Sequence, residues 1–301
     1  MDDELAELLA TGERAAFHGR PSAGVAPLQA AVELAHGAGY DAEATAAVWL
    51  LGVCLASSGR YGAASAVLEP LAISLPVEPE RLIFSSLAAS SMASISRQLG
   101  RHAEGRARDE VGLDLAGEAP EARFDALLGL AADAVGLGED DEAAFRLGEA
   151  THLVMVRPDW WRQRVRVDWV AAEIALLRDQ PEDAVQRAAG AVALAENSGA
   201  PRHVAKGLLF QGVAEVQVGE LELAAATLRR AAGLAESLGT LPLVWPARAV
   251  LGALLSDVAP AEAAASLDVA RSAVRHICED LPAGLASDWL TRPDIAALLE
   301  D

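Results

Sequence analysis

The chain has 301 residues with 44 Asp and Glu against 24 Lys and Arg, a formal net charge of −20, and 52% hydrophobic residues of which few are aromatic. So acidic a surface repels phosphates and argues against direct nucleic-acid binding, and the longest uncharged runs, such as Leu82 to Ser96, stop short of the 18 or so apolar residues that a membrane span requires. An apolar mass built mainly from Ala, Leu and Val suits closely packed helices more than sheets.

The N-terminus, MDDELAELLA, is acidic and lacks the basic start and small-residue cleavage site of a signal peptide, so a cytoplasmic location is expected. Cys54 and Cys278 lie far apart, each inside an apolar helical pattern. Both are expected as buried thiols, with no disulfide or zinc framework.

Apolar periodicity and helix breakers predict helices, in chain order, at 3–18, 22–36, 42–58, 62–74, 79–98, 103–116, 120–137, 141–155, 160–178, 182–197, 201–218, 222–238, 243–256 and 261–279, with a short cap beyond. Short turns punctuate the series at Gly19-Arg20, Gly59-Arg60, Gly100-Arg101, Gly138-Glu139 and Gly219-Glu220. Asp179-Gln180-Pro181 and Val258-Ala259-Pro260 fit the same series, with Pro expected to supply the break that Gly supplies elsewhere. Successive spacings of 40, 41, 38, 41, 40 and 39 residues define a repeat of about 40.

Small side chains hold register within the repeat. Five residues after each turn stand Gly24, Ala64, Gly105, Ala143, Ala184, Ala224 and Ala263, as expected where helices cross closely. Seven before the turn stand Gly12, Gly52, Ala93, Ala131, Ala172 and Gly212, with Leu251 the exception. Nine after it, Leu28, Leu68, Leu147, Leu228 and Leu267 recur. Each unit therefore reads as helix, tight turn, helix.

These columns resemble the tetratricopeptide repeat (TPR) family, whose motif places small residues, a Gly before the turn and Ala in the second helix at fixed positions. The second repeat, AAVWLLGVCLASSGRYGAASAVLEPLA, matches best through Leu51-Gly52, Gly59, Tyr61 and Ala64. The third departs most, with Asp109 in the leucine column and Gly112 in an alanine column, so its second helix is expected to be irregular. The period exceeds the family's usual figure of about 34. Segments such as AVALAENSGAPRHVAKGLLFQGVAEV look like repeats in bacterial signal-transduction regulators, including the sensor arms of ATP-dependent transcription activators, and the tail ICEDLPAGLASDWLTRPDIAALLED resembles the close of those arms. The resemblance implies an all-α, right-handed superhelix (solenoid) of about seven repeats. It would occupy residues 1–280 as one continuous domain, with residues 281–301 as a C-terminal capping helix.

Catalytic motifs fail on context. Gly37-Ala38-Gly39 with Ala42 has dinucleotide-fingerprint spacing but follows a helical pattern instead of a strand. The six histidines never pair with another His or Cys at metal-ligand spacing, and most lie at predicted turns or helix ends. No nucleophile, base, metal set or cofactor site can be named, so the chain is expected to be non-enzymatic.

One local run stands out, Arg157-Pro158-Asp159-Trp160-Trp161-Arg162. Adjacent indoles cannot share one helix face, so Asp159 is expected as an N-cap, with one Trp covering an inter-repeat seam and the other exposed as a partner anchor. Carrying over the TPR register places Glu13, Trp49, Arg97, Gln98, Arg166, Trp169, Glu173, Lys206, Gln217, Trp245 and Arg248 on the concave face. Indoles beside cations in a chain short of both point to a groove for a protein or peptide segment. The expected function is thus a regulatory scaffold or adaptor with no nucleic-acid or membrane partner. Self-assembly, for example as a homodimer, and peptide or small-molecule sensing for a transcription factor in trans stand as alternatives.

Overall fold

The computed structural model describes residues 3–74 and 79–300. Among these residues there is no strand, and the chain divides into two compact units, residues 1–158 and 159–301. The first unit holds α1 (Asp3–His18), a 3₁₀ turn (Pro21–Gly24) leading into α2 (Val25–Ala38), α3 (Asp41–Ser57), α4 (Tyr61–Ala72), α5 (Pro79–Gln98), α6 (His102–Ala116), α7 (Pro120–Gly136) and α8 (Asp140–Met155). The second holds α9 (Trp161–Leu177), α10 (Pro181–Asn197), α11 (Pro201–Val218), α12 (Leu221–Leu238), α13 (Leu241–Leu255), α14 (Pro260–Asp280), α15 (Ala283–Leu290) and α16 (Pro293–Leu299). These helices match the expected ones within two residues at each end, except that the second opens as the 3₁₀ turn.

Within each unit the fold is a stack of helix pairs. From α1 to α8, and from α9 to α14, each helix packs on the next. Odd-numbered helices also touch, α1 with α3, α3 with α5 and α5 with α7 in the first unit, α9 with α11 and α11 with α13 in the second. The odd helices thus make one layer of their unit and the even helices the other, the TPR-like arrangement that the repeat requires.

The turns explain the period. At Gly59 the chain enters the left-handed region (φ 87°), and the Arg60 N–H donates back to the Leu55 carbonyl at 3.0 Å, closing the helix end. Gly100, Gly138 and Gly219 repeat this geometry. At Asp179 the break comes from the aspartate itself, which adopts φ 58° while the Gln180 N–H bonds to the Ala175 carbonyl at 2.8 Å. Pro181 merely opens the next helix, so the expected role of Pro as breaker is corrected there.

All seven residues of the first small column are buried. In the second, Gly12, Gly52 and Gly212 each receive the leucine sixteen residues on, and a Cβ on Gly212 would lie 2.7 Å from Leu228 Cγ. The exception at Leu251 resolves in space, because Gly252 takes that role and a Cβ there would lie 2.7 Å from Leu267 Cγ. The second helix of the third repeat, expected to be irregular, is the continuous α6. Of the two thiols expected in the core, Cys54 is buried but Cys278 is only half-buried.

The chain closes with two short helices. Trp289 of α15 is fully buried with Ile295 and Leu298 of α16, and its ring meets Trp245 of α13 edge-on at 6.3 Å. Arg271 of α14 donates to the carbonyls of Leu298 at 2.8 Å and Glu300 at 3.0 Å, tying the tail down.

Candidate partner-binding surface

The site forms where α9 and α11 lie side by side. Trp160 is the N-cap of α9 (φ −79°, ψ 59°), one residue later than the expected Asp159, whose carbonyl accepts the Trp161 N–H at 2.8 Å. The helix therefore begins between the two indoles. Trp160 is buried at the cap and Trp161 is half-buried, so neither is the exposed anchor that helical geometry alone predicts.

His203, in the first turn of α11, sits between two indoles. Trp161 meets it edge-on at 5.2 Å (71°) and Trp169 stacks on it at 5.4 Å (19°). Its Nδ1 is buried without a hydrogen-bond partner, as is Trp169 Nε1, which faces Gly207. Burial above all, then the charges of Arg202, Arg162, Arg166 and Lys206, hold the His203 pKa well below its usual value. The imidazole is therefore a neutral, aromatic spacer.

One turn further on, the Lys206 ammonium lies 4.8 Å from the Trp169 ring centre and 5.4 Å from that of Phe210, a cation held on two π faces. Four cationic side chains thus surround one aromatic stack. Across α9, α11 and α13 together, six Arg and Lys stand against three Asp and Glu, a reversal of the chain's overall balance.

The expected site residues divide between this cluster and other contacts. Arg166, Trp169, Lys206 and Trp161 come together around His203, which joins the groove reading to the Trp160–Trp161 edge at one surface of the second unit. Glu173 is half-buried on α9, and Gln217 is exposed three turns beyond Lys206 on α11. Trp245 packs against Trp289 of the tail. Arg248 reaches α12 and α14, bonding Glu236 at 2.5 Å and Ser266 Oγ at 3.4 Å.

In the first unit Trp49 bridges the odd layer, with Phe17 of α1 at 6.4 Å and Phe84 of α5 at 6.0 Å, while its Nε1–H donates to Ser91 Oγ at 3.1 Å. Gln98 is half-buried and Glu13 exposed. Arg97 is drawn into a buried ion cluster with Asp109 and Asp133 instead of lining an open face. From the sequence, Arg162 is reached only within the run around Trp160 and Trp161, and the role of His203, Phe210 and Arg202 is missed. The spacing His203, Lys206, Phe210 on one helix face is the signal that would have found two of them.

Among the described residues, no helix is long and apolar enough to cross a membrane, and no group of three His, Cys, Asp or Glu is placed to hold a metal ion. No sequence-family model matches the chain, and no curated protein matches it. Solved structures do share its fold. A Rap protein complexed with Competence and Sporulation Factor is 12% identical, with a TM-score of 0.64 over 98% of this chain and 80% of that one. Aspartyl phosphate phosphatase F from Bacillus subtilis is 12% identical, with a TM-score of 0.52 over 99% and 82% of the two chains. The apo form of RapI is 9% identical, with a TM-score of 0.50 over 99% and 84%. At these identities the likeness is one of fold, and it places the chain among TPR-like helical repeat structures.

Proposed function

We propose that this chain is a binding scaffold that holds an acidic segment of a protein or peptide on the α9–α11 face and performs no chemistry on it. The observation that carries the reading is the Trp161–His203–Trp169 stack ringed by Arg162, Arg166, Arg202 and Lys206. Cations raised above the local carboxylate density attract acidic side chains, the net charge of −20 disfavours other anions elsewhere, and the buried Trp169 ring holds the Lys206 ammonium against its face. A similar fold occurs in complex with a factor in the solved Rap protein, so helix-pair arrays of this kind accept an occupant. The chemistry of the occupant here is read from this chain's own residues.

The test uses fluorescein-labelled Glu- and Asp-rich peptides, with Lys-rich and neutral ones as controls, titrated against the full chain at low and high salt. Acidic peptides should bind and weaken as salt rises. Lys206→Glu with Arg166→Glu should weaken binding at least tenfold with helicity unchanged. Arg248→Glu, whose native partner is Glu236, should have little effect on binding. Equal affinity for acidic and basic peptides, or survival of binding in the double reversal, rules the reading out.

A further inference from the structure

The first unit carries a second polar centre, built into the seam of α5, α6 and α7. Asp109 occupies the position where most other repeats place a leucine, buried at Leu28, Leu68 and Leu228, and Asp133 approaches it from α7. Both carboxylates are fully buried and bond the same nitrogen of Arg97, Asp109 Oδ2 at 2.5 Å and Asp133 Oδ2 at 2.8 Å. That nitrogen also donates to the Gly129 carbonyl at 3.3 Å.

The backbone is shaped around these groups. A Cβ on Gly129 would land on the Asp109 carboxylate, one on Gly105 would lie 2.5 Å from Asp133 Oδ1, and one on Gly136 would collide with the His102 ring. α6 and α7 thus seat each other's polar side chains reciprocally, aspartate on glycine in both directions. The second oxygen of each carboxylate, Oδ1, is buried without a hydrogen-bond partner.

The charges do not balance. Two fully buried carboxylates share one guanidinium, and an unmatched buried charge costs several kcal/mol by the usual desolvation argument, a cost that one bound proton would remove. The other ionisable groups nearby do not supply the missing charge. His102 of α6 has its Nδ1 3.9 Å from Asp133 Oδ1 and is partly exposed. Arg106 of α6 is paired with Glu139, and its pull on Asp133 is weaker than that of Arg97. Arg97 is the cation that α5 contributes.

We propose that Arg97, Asp109 and Asp133 form a proton-binding site, in which one proton shared by the two carboxylates completes the seam and its departure loosens α6 from α7. Burial outweighs the attraction of Arg97 and pushes Asp109 up to about 7 and Asp133 up to about 6. Folded-state values above the unfolded carboxylate value mean stability that is full at low pH and is lost as pH rises through the folded values.

The full-length chain labelled with ¹³C at Asp Cγ provides the direct readout. Two resonances should titrate near neutral pH, well above the value of about 4 for an unperturbed aspartate, and both should vanish from that range in Asp109→Asn. Amide exchange, corrected for intrinsic rates, should show the opening constant of α6 and α7 rising by up to about tenfold per pH unit between the unfolded carboxylate value of about 4 and about pH 7, the slope of one proton, and levelling off above that. Asp109→Asn, a neutral isostere of the protonated acid, should flatten that slope, and Arg97→Gln should move the titration still higher. If Asp109 and Asp133 titrate near the ordinary carboxylate value in the wild-type chain, or if the slope survives Asp109→Asn, the proposal is overturned. Should the Asn variant fail to fold, the wild-type Cγ titration decides alone.

Discussion

Gly212 and Leu228 offer a quantitative test of how helices in this chain approach one another. Leu228 is fully buried and lies over the α-carbon of Gly212, where a Cβ would come within 2.7 Å of Leu228 Cγ. Leu228→Ala removes a fully buried side chain from a packed core and should cost about 2–5 kcal/mol. Gly212→Ala alone gains about 1 kcal/mol of helix propensity and loses about 1–3 to overpacking, for a net cost of about 0–2 kcal/mol. In the Leu228→Ala background the clash is gone, so the same Gly212→Ala change should stabilise by about 1 kcal/mol and fill part of the cavity. The double mutant should therefore be less damaged than the singles add up to, with a coupling of about 1–3 kcal/mol. Urea midpoints by circular dichroism at 222 nm, taken on the four members of the cycle, measure it directly. Additivity within about 0.5 kcal/mol would refute the close-approach account of the small columns.

Replacing Asp179 by Gly at its φ of 58° should raise stability by about 1 kcal/mol, read as a higher urea midpoint, since an L side chain is strained there. Ala64→Leu, Ala143→Leu, Ala184→Leu and Ala224→Leu should each cost about 1–3 kcal/mol, because all four alanines are fully buried at helix crossings. Trp289→Ala should cost about 3–5 kcal/mol and increase amide exchange in α13 to α16 before other helices respond. His203, held well below its ordinary pKa, contributes stability to the second unit that is full above the unfolded value of about 6.5 and is lost as pH falls. Comparing urea midpoints at pH 5 and pH 7 for the wild type and His203→Phe should show the acid-side loss only in the wild type.

Local chemistry made the helices legible. A glycine that can take positive φ ends a helix wherever it occurs, and a small residue under a leucine marks a crossing whatever the neighbours are, so both survive in a linear pattern. The Leu251 column failed because Gly252 stands one residue nearer its leucine than Gly212 does, a change of spacing that a fixed register cannot follow. The site was less legible because a charged residue's role depends on what comes near it in space. Arg97 has the same character in sequence as Arg166, yet one meets two buried aspartates on neighbouring helices and the other stands among cations and indoles. The two adjacent tryptophans misled for a similar reason: the rule about opposite faces holds inside a helix, and here the helix starts between them.

The reciprocal seats of α6 and α7 also bear on how the chain finds its own arrangement. Most other seams here join alanine and leucine surfaces that resemble one another closely enough for a helix to dock one repeat away from its proper place at small cost. Asp109 is seated over Gly129, and Asp133 over Gly105. Docked on any of the leucine-bearing helices, either carboxylate would be buried without Arg97 and against a side chain, a penalty well above the gain from apolar contact. The polar seam therefore acts as a keyed joint, which spends some stability to exclude misaligned stacking, and neutral substitutions there should yield a chain that is more stable at high pH but less faithful in refolding.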